Sequence, residues 1–134
     1  MSNFFVSPRE GYVPSYQISA KPWATGSLAL STSATELSFP YVTRWVQVIN
    51  TGANNVRVGF SENGVNGNPA SNSNYFILET AAATAAEASS TRLELRCKSI
   101  FVRADSGTSE VSVIAGLTDI KDLNAKLSGS EGIG

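Results

Sequence analysis

The residues of this chain with the types to do chemistry are few and scattered. Glu62, Glu94, Asp105 and Glu110 are the carboxylates that could pair for glycoside hydrolysis. Their spacing selects no two of them. Glu94 falls on the polar side of an alternating run, and Asp105 begins an Asp-Ser-Gly turn, so structural roles account for both. The stretch Gly59-Phe-Ser-Glu-Asn-Gly-Val-Asn-Gly67 offers carbonyls, Glu62 and Asn63 to a calcium ion, yet lacks the several carboxylates such sites use. Positive φ at Gly64 and Gly67 is the simpler expectation for that stretch. No Gly-Lys-Ser/Thr follows it, which excludes a phosphate loop.

The composition narrows the chemistry further. The chain has no histidine and one cysteine, Cys97. It therefore lacks the usual His/Cys zinc sites and any histidine-assisted nucleophile. The expectation is a protein that is not an enzyme, with no catalytic residue, no metal and no cofactor. Cys97 is in phase with Leu93 and Leu95 and reads as a small buried hydrophobe. Trp23, Tyr41, Trp45 and Tyr75 could stack on sugars, but aromatics beside strands more commonly fill a core. Arg44, Arg57, Arg92, Arg96 and Arg103 are dispersed among Glu36, Glu79, Glu94 and Glu110, which points to ion pairs between strands or subunits.

These residues need a scaffold, and the 134-residue length fits one domain with its own core. Hydrophobic residues make up 42% and charged residues only 16%, below the usual quarter, as suits a surface largely hidden against partners. Net charge is -1 with no run of like charges, so direct nucleic-acid binding is not expected. No apolar run reaches the length of a membrane span. Met1 to Glu10 lacks the pattern of a secretion signal, no Asn-x-Ser/Thr sequon occurs, and a single thiol fits intracellular assembly.

The first 26 residues form an irregular arm, broken by Pro8, Pro14 and Pro22. Phe4, Phe5, Tyr12, Tyr16 and Trp23 make it too aromatic for a solvated tail, and Phe4, Phe5, Tyr12 and Trp23 are its candidate interface residues. From residue 27 to 117 short strand-like runs follow: Ser27–Ser31, Thr35–Phe39, Thr43–Asn50, Asn54–Phe60, Asn74–Glu79, Arg92–Cys97, Ser99–Ala104 and Glu110–Gly116. Val56, Val58, Leu93, Leu95, Val111 and Val113 alternate with polar neighbours and are expected inside, so Leu95→Ala should cost about 2–5 kcal/mol. Eight strands without a convincing long helix read as an all-β sandwich or barrel. The alanine-rich segment Thr80 to Thr91 reads as a short helix or a crossing loop. Residues 118–134 form a C-terminal extension in which Thr118 to Leu127 has helical spacing, with Thr118 or Asp119 as cap.

Three stretches, in order, carry a resemblance. They are Val58-Gly-Phe-Ser-Glu-Asn-Gly-Val-Asn-Gly67, Asn74-Tyr-Phe-Ile-Leu78, and Leu93-Glu-Leu-Arg-Cys-Lys-Ser-Ile-Phe-Val-Arg103 continuing to Val113-Ile-Ala-Gly-Leu-Thr118. Together they resemble the single jelly-roll penton proteins of large icosahedral double-stranded DNA viruses of the algal-virus kind. The resemblance implies an eight-stranded antiparallel jelly roll that forms homopentamers at the five-fold vertices of the virion, assembled inside the host cell. Its partners there would be the double jelly-roll major capsid protein and other minor capsid proteins. The alternative reading of the residues is a carbohydrate-binding or host-attachment β-sandwich module.

Overall fold

The computed structural model describes residues 13–67, 73–80 and 88–121. They are mostly β, with helix confined to α1 (Pro14–Gln17) and α2 (Glu62–Asn66). The strands are β1 (Lys21–Leu30), β2 (Thr35–Ser38), β3 (Thr43–Asn50), β4 (Val56–Gly59), β5 (Tyr75–Leu78), β6 (Ser99–Ala104) and β7 (Ser109–Leu117). They form two antiparallel sheets, ordered β1-β7-β3 and β2-β6-β4-β5, in a sandwich-like arrangement. None of the described helices is long and apolar enough to cross a membrane.

The core follows from period-two alternation. In β6, Ile100, Val102 and Ala104 are buried while Ser99, Phe101 and Arg103 are half-buried on the other side. In β7, Val111, Val113 and Ala115 are buried, and Glu110 and Ile114 are exposed. Val46, Val48, Val56 and Val58 complete the facing surfaces, with Leu30, Phe39, Leu78 and Cys97 in the same cluster. Burial of each such aliphatic side chain is worth roughly 1.5–3 kcal/mol, which makes this cluster the main source of stability.

Two expectations from the sequence are corrected. Arg92–Cys97 is not a regular strand, and the described residues hold seven strands instead of eight. Residues 88–97 still run along the open edge of β3. The Asn50 N–H donates to the Ala88 carbonyl at 2.7 Å, and Val46 and Leu93 exchange bonds of 2.9 and 2.7 Å. Side-chain hydroxyls then replace backbone partners. The Val48 N–H donates to Ser90 Oγ at 2.9 Å, and the Cys97 N–H donates to Thr43 Oγ1 at 3.0 Å. Thr43 Oγ1 in turn donates to the Leu95 carbonyl at 2.6 Å. The Leu95 N–H reaches back to the Leu93 carbonyl at 2.9 Å, closing a γ-turn on Glu94. That turn breaks the alternation. Cys97 is buried, Leu93 is half-buried, and Leu95 is 36% exposed, so Leu95 does not belong to the core.

The first strand starts at Lys21, within the segment read as an irregular arm. Pro22 is tolerated because β1 is an edge strand and its missing N–H breaks no essential ladder bond. The register slips between Thr25 and Leu28, and Ser27 takes up a left-handed φ of 51° in the bulge. The other strands match expectation within a residue or two at their ends. Of the predicted helix from Thr118, only Thr118 to Lys121 is described. There Thr118 Oγ1 donates to the Val42 carbonyl and accepts from the Ile120 N–H, and Ile120 is fully buried. Most of the segment from Thr80 to Thr91 lies outside the described residues.

The expected outcome in urea melts is a clear contrast between two truncations. Ile100→Ala should lose about 2–5 kcal/mol, as for other buried aliphatics. Leu95→Ala should stay within about 0.5 kcal/mol of the parent. Equal losses would contradict the burial pattern.

Candidate functional site

A grouping of charged and polar side chains lies on the outer face of the four-stranded sheet. With Val56 and Val58 facing inward, Arg57 must face outward; with Val102 and Ala104 inward, Arg103 does the same. Registration of β4 on β6 sets Arg57 directly opposite Arg103. Helix α2 lies over the same sheet. Ser61 starts it by accepting the Gly64 N–H at 3.0 Å, and Gly67 ends it with a left-handed φ of 67°. Gly64, in contrast to expectation, has no positive φ. It sits inside α2, where a Cβ would stand 2.7 Å from Ser61 Oγ. Val65 is fully buried and anchors the helix.

Arg57 ties these parts together. Its Nε donates to Asp105 Oδ1 at 2.7 Å, and its Nη1 donates to the Val65 and Asn66 carbonyls, both at 3.3 Å. The guanidinium thus meets the negative end of α2 and also lies 4.5 Å from the centre of the Tyr75 ring. Arg103 donates from Nη1 to Asn66 Oδ1 at 3.2 Å and from Nε to the Ala104 carbonyl at 3.0 Å. Burial, and then the charge of Arg57, lower the Arg103 pKa from its ordinary value.

The carboxylates singled out in the sequence serve separately. Glu62 sits in the first turn of α2, Glu94 pairs with Arg92 at 2.7 Å in solvent, and Asp105 holds Arg57. Glu110 borders an open hollow with Thr51, Gly52, Thr108 and Ser109. No group of three or more His, Cys, Asp or Glu side chains comes together among the described residues. The aromatic rings are also engaged. Lys21 lies over Tyr41 at 4.3 Å, Arg92 over Trp45 at 5.9 Å, and Trp23 meets Phe39 edge-on at 4.8 Å. Trp23 is half-buried within β1, packed on the chain's own core. Phe4, Phe5 and Tyr12 lie outside the described residues. Cys97 is buried beside the Thr43 hydroxyl, and burial pushes its thiol pKa up.

The Arg57–Arg103 grouping was not found from the sequence. Alternation placed Arg57 on a polar face, but its partner is 46 positions away and only the register brings the two together. Comparison with protein-family models, with curated proteins and with solved structures finds no match to this chain.

The Cys97 environment yields a pH prediction. Its folded pKa lies above the unfolded value of 9.0, so above that pH the unfolded chain has lost the thiol proton while the folded chain keeps it. Stability is therefore unaffected by the thiol below pH 9.0 and falls as the pH rises beyond it. Melting curves from pH 7 to 10 should show a steeper alkaline loss for the parent than for Cys97→Ala, by up to about 1.4 kcal/mol per pH unit. Parallel curves would overturn the assignment.

Proposed function

We propose that this chain is a structural capsid protein, a penton subunit whose homopentamers close the five-fold vertices of an icosahedral double-stranded DNA virus. The carrying observation is the order of pairing. When residues 88–97 are counted as an irregular sixth run, eight runs pair first with last, second with seventh, third with sixth and fourth with fifth. That order supports reading the chain as an eight-stranded jelly roll, an architecture used by viral capsid domains. The low charge and the stretches that resemble single jelly-roll pentons support the same reading.

Five-fold closure needs a heterologous contact, in which two different patches meet and the rotation completes a turn. The two outer sheet faces of this chain differ as such a contact requires. Over the three-stranded sheet the outward positions Pro22, Ala24, Gln47 and Ile114 are uncharged, with Glu110 exposed further along β7 and Arg92 lying over Trp45. Over the four-stranded sheet, Glu36, Arg57 and Arg103 carry charge. In the vertex the major capsid protein and other minor capsid proteins would surround the pentamer. The carbohydrate-binding alternative gains less support, because Tyr41, Tyr75 and Trp45 each have a cation over the ring.

Native mass measurement of the full chain tests the reading, with a pentamer expected. A strict monomer at high concentration, together with glycan-array binding, would favour the attachment module. Deleting residues 1–20 should leave a folded sandwich, because every described strand begins at Lys21 or later. The same deletion should weaken incorporation at the vertex by removing Phe4, Phe5 and Tyr12. Normal incorporation of the truncated chain would show the arm to be dispensable.

A further inference from the structure

Like charges placed directly opposite each other across an antiparallel pair destabilise a sheet. Arg57 and Arg103 occupy such positions, and Asp105 is the carboxylate that pairs with them among the described residues. It holds only Arg57, through Nε. Neither Nη2 group has a hydrogen-bond partner among the described residues. Among the described residues two half-buried guanidinium groups thus share one paired carboxylate.

We propose that Arg57 and Arg103 form a receptor for the side-chain carboxylate of a protein partner. Arg suits this task because it stays charged, and the Nη2 group of each side chain can donate a charge-assisted bond to a carboxylate oxygen. Both forks are already oriented: Arg57 by the α2 carbonyls and Tyr75, and Arg103 by Asn66. Little side-chain freedom remains to be lost on binding. Burial and the neighbouring charge of Arg57 lower the Arg103 pKa, and Asp105 offsets this only in part. Ile77 lies directly opposite Arg57 on the other side and is 40% exposed, so the charged spot has an apolar border. A protein carboxylate fits better than a nucleic-acid backbone. The chain has a net charge of -1, and Glu36 faces outward on the same sheet, opposite Phe101. The site does not depend on the capsid reading.

The test follows the Arg Nε–Hε resonances of the full chain while a capped tri-glutamate peptide is added. Saturable shifts at Arg57 and Arg103 are expected, with none from sodium chloride at equal ionic strength. Arg103→Gln should weaken the peptide by about tenfold, in line with loss of a charge-assisted bond. Asp105→Asn removes the resident carboxylate and should strengthen binding, which keeps the test decisive even if Arg103→Gln unfolds. Shifts reproduced by sodium chloride, or unchanged affinity in both variants, would overturn the proposal. Saturation by inorganic phosphate without saturation by the peptide would overturn it too, leaving only a small-anion site.

Discussion

The register of β6 and β7, internal strands of the two sheets, is the constraint on which the rest of the structure depends. Each is flanked on both sides within its sheet, and each buries every second side chain. A slip of one residue in β6 would turn Ile100, Val102 and Ala104 to water and drive Phe101 and Arg103 into the interior. The hydrophobic loss and the burial of an unpaired guanidinium would act together, so alternative registers are strongly disfavoured. The same register aligns Arg57 with Arg103 and carries Asp105 to Arg57. The core and the charged outer grouping are thus two results of one alignment.

Sheet edges are the usual weakness of such a fold, and they are managed here by three devices. In β1 it is Pro22 and the bulge at Ser27; β2 and β5 are only four residues long. The long edge of β3 is covered by residues 88–97, held through Thr43, Ser90 and backbone bonds. Thr43 is fully buried, and its hydroxyl both donates and accepts, which allows a polar side chain to lie inside without an unmet bond.

Where local pattern and tertiary demand agreed, the sequence was legible. Thr43–Asn50 and Ser99–Ala104 match their expected strands end to end, and Val56, Val58, Val111 and Val113 are buried as their alternation requires. Leu95 failed because the γ-turn on Glu94 is stabilised by contacts with a strand some fifty positions earlier, beyond any local window. Lys21 to Gly26 failed for the opposite reason. Pro and Gly there have strong local meanings as breakers, and an edge position removes their penalty. The charged grouping was half-visible: the outward face of Arg57 was readable, whereas its opposition to Arg103 is a property of pairing.

The two tryptophans lie on opposite faces of one sheet. Trp23 points into the sandwich against Phe39, whereas Trp45 lies outside on the backbone of Gly116, where an added Cβ would come within 2.3 Å of the indole Nε1. Only a residue without a side chain lets the indole rest there. Intrinsic fluorescence of this protein therefore has an interior and an exterior emitter separated by a single layer of β-strand. Trp23 reports the dryness of the core, Trp45 reports what covers the sheet, and the two can be read apart by single replacement with phenylalanine.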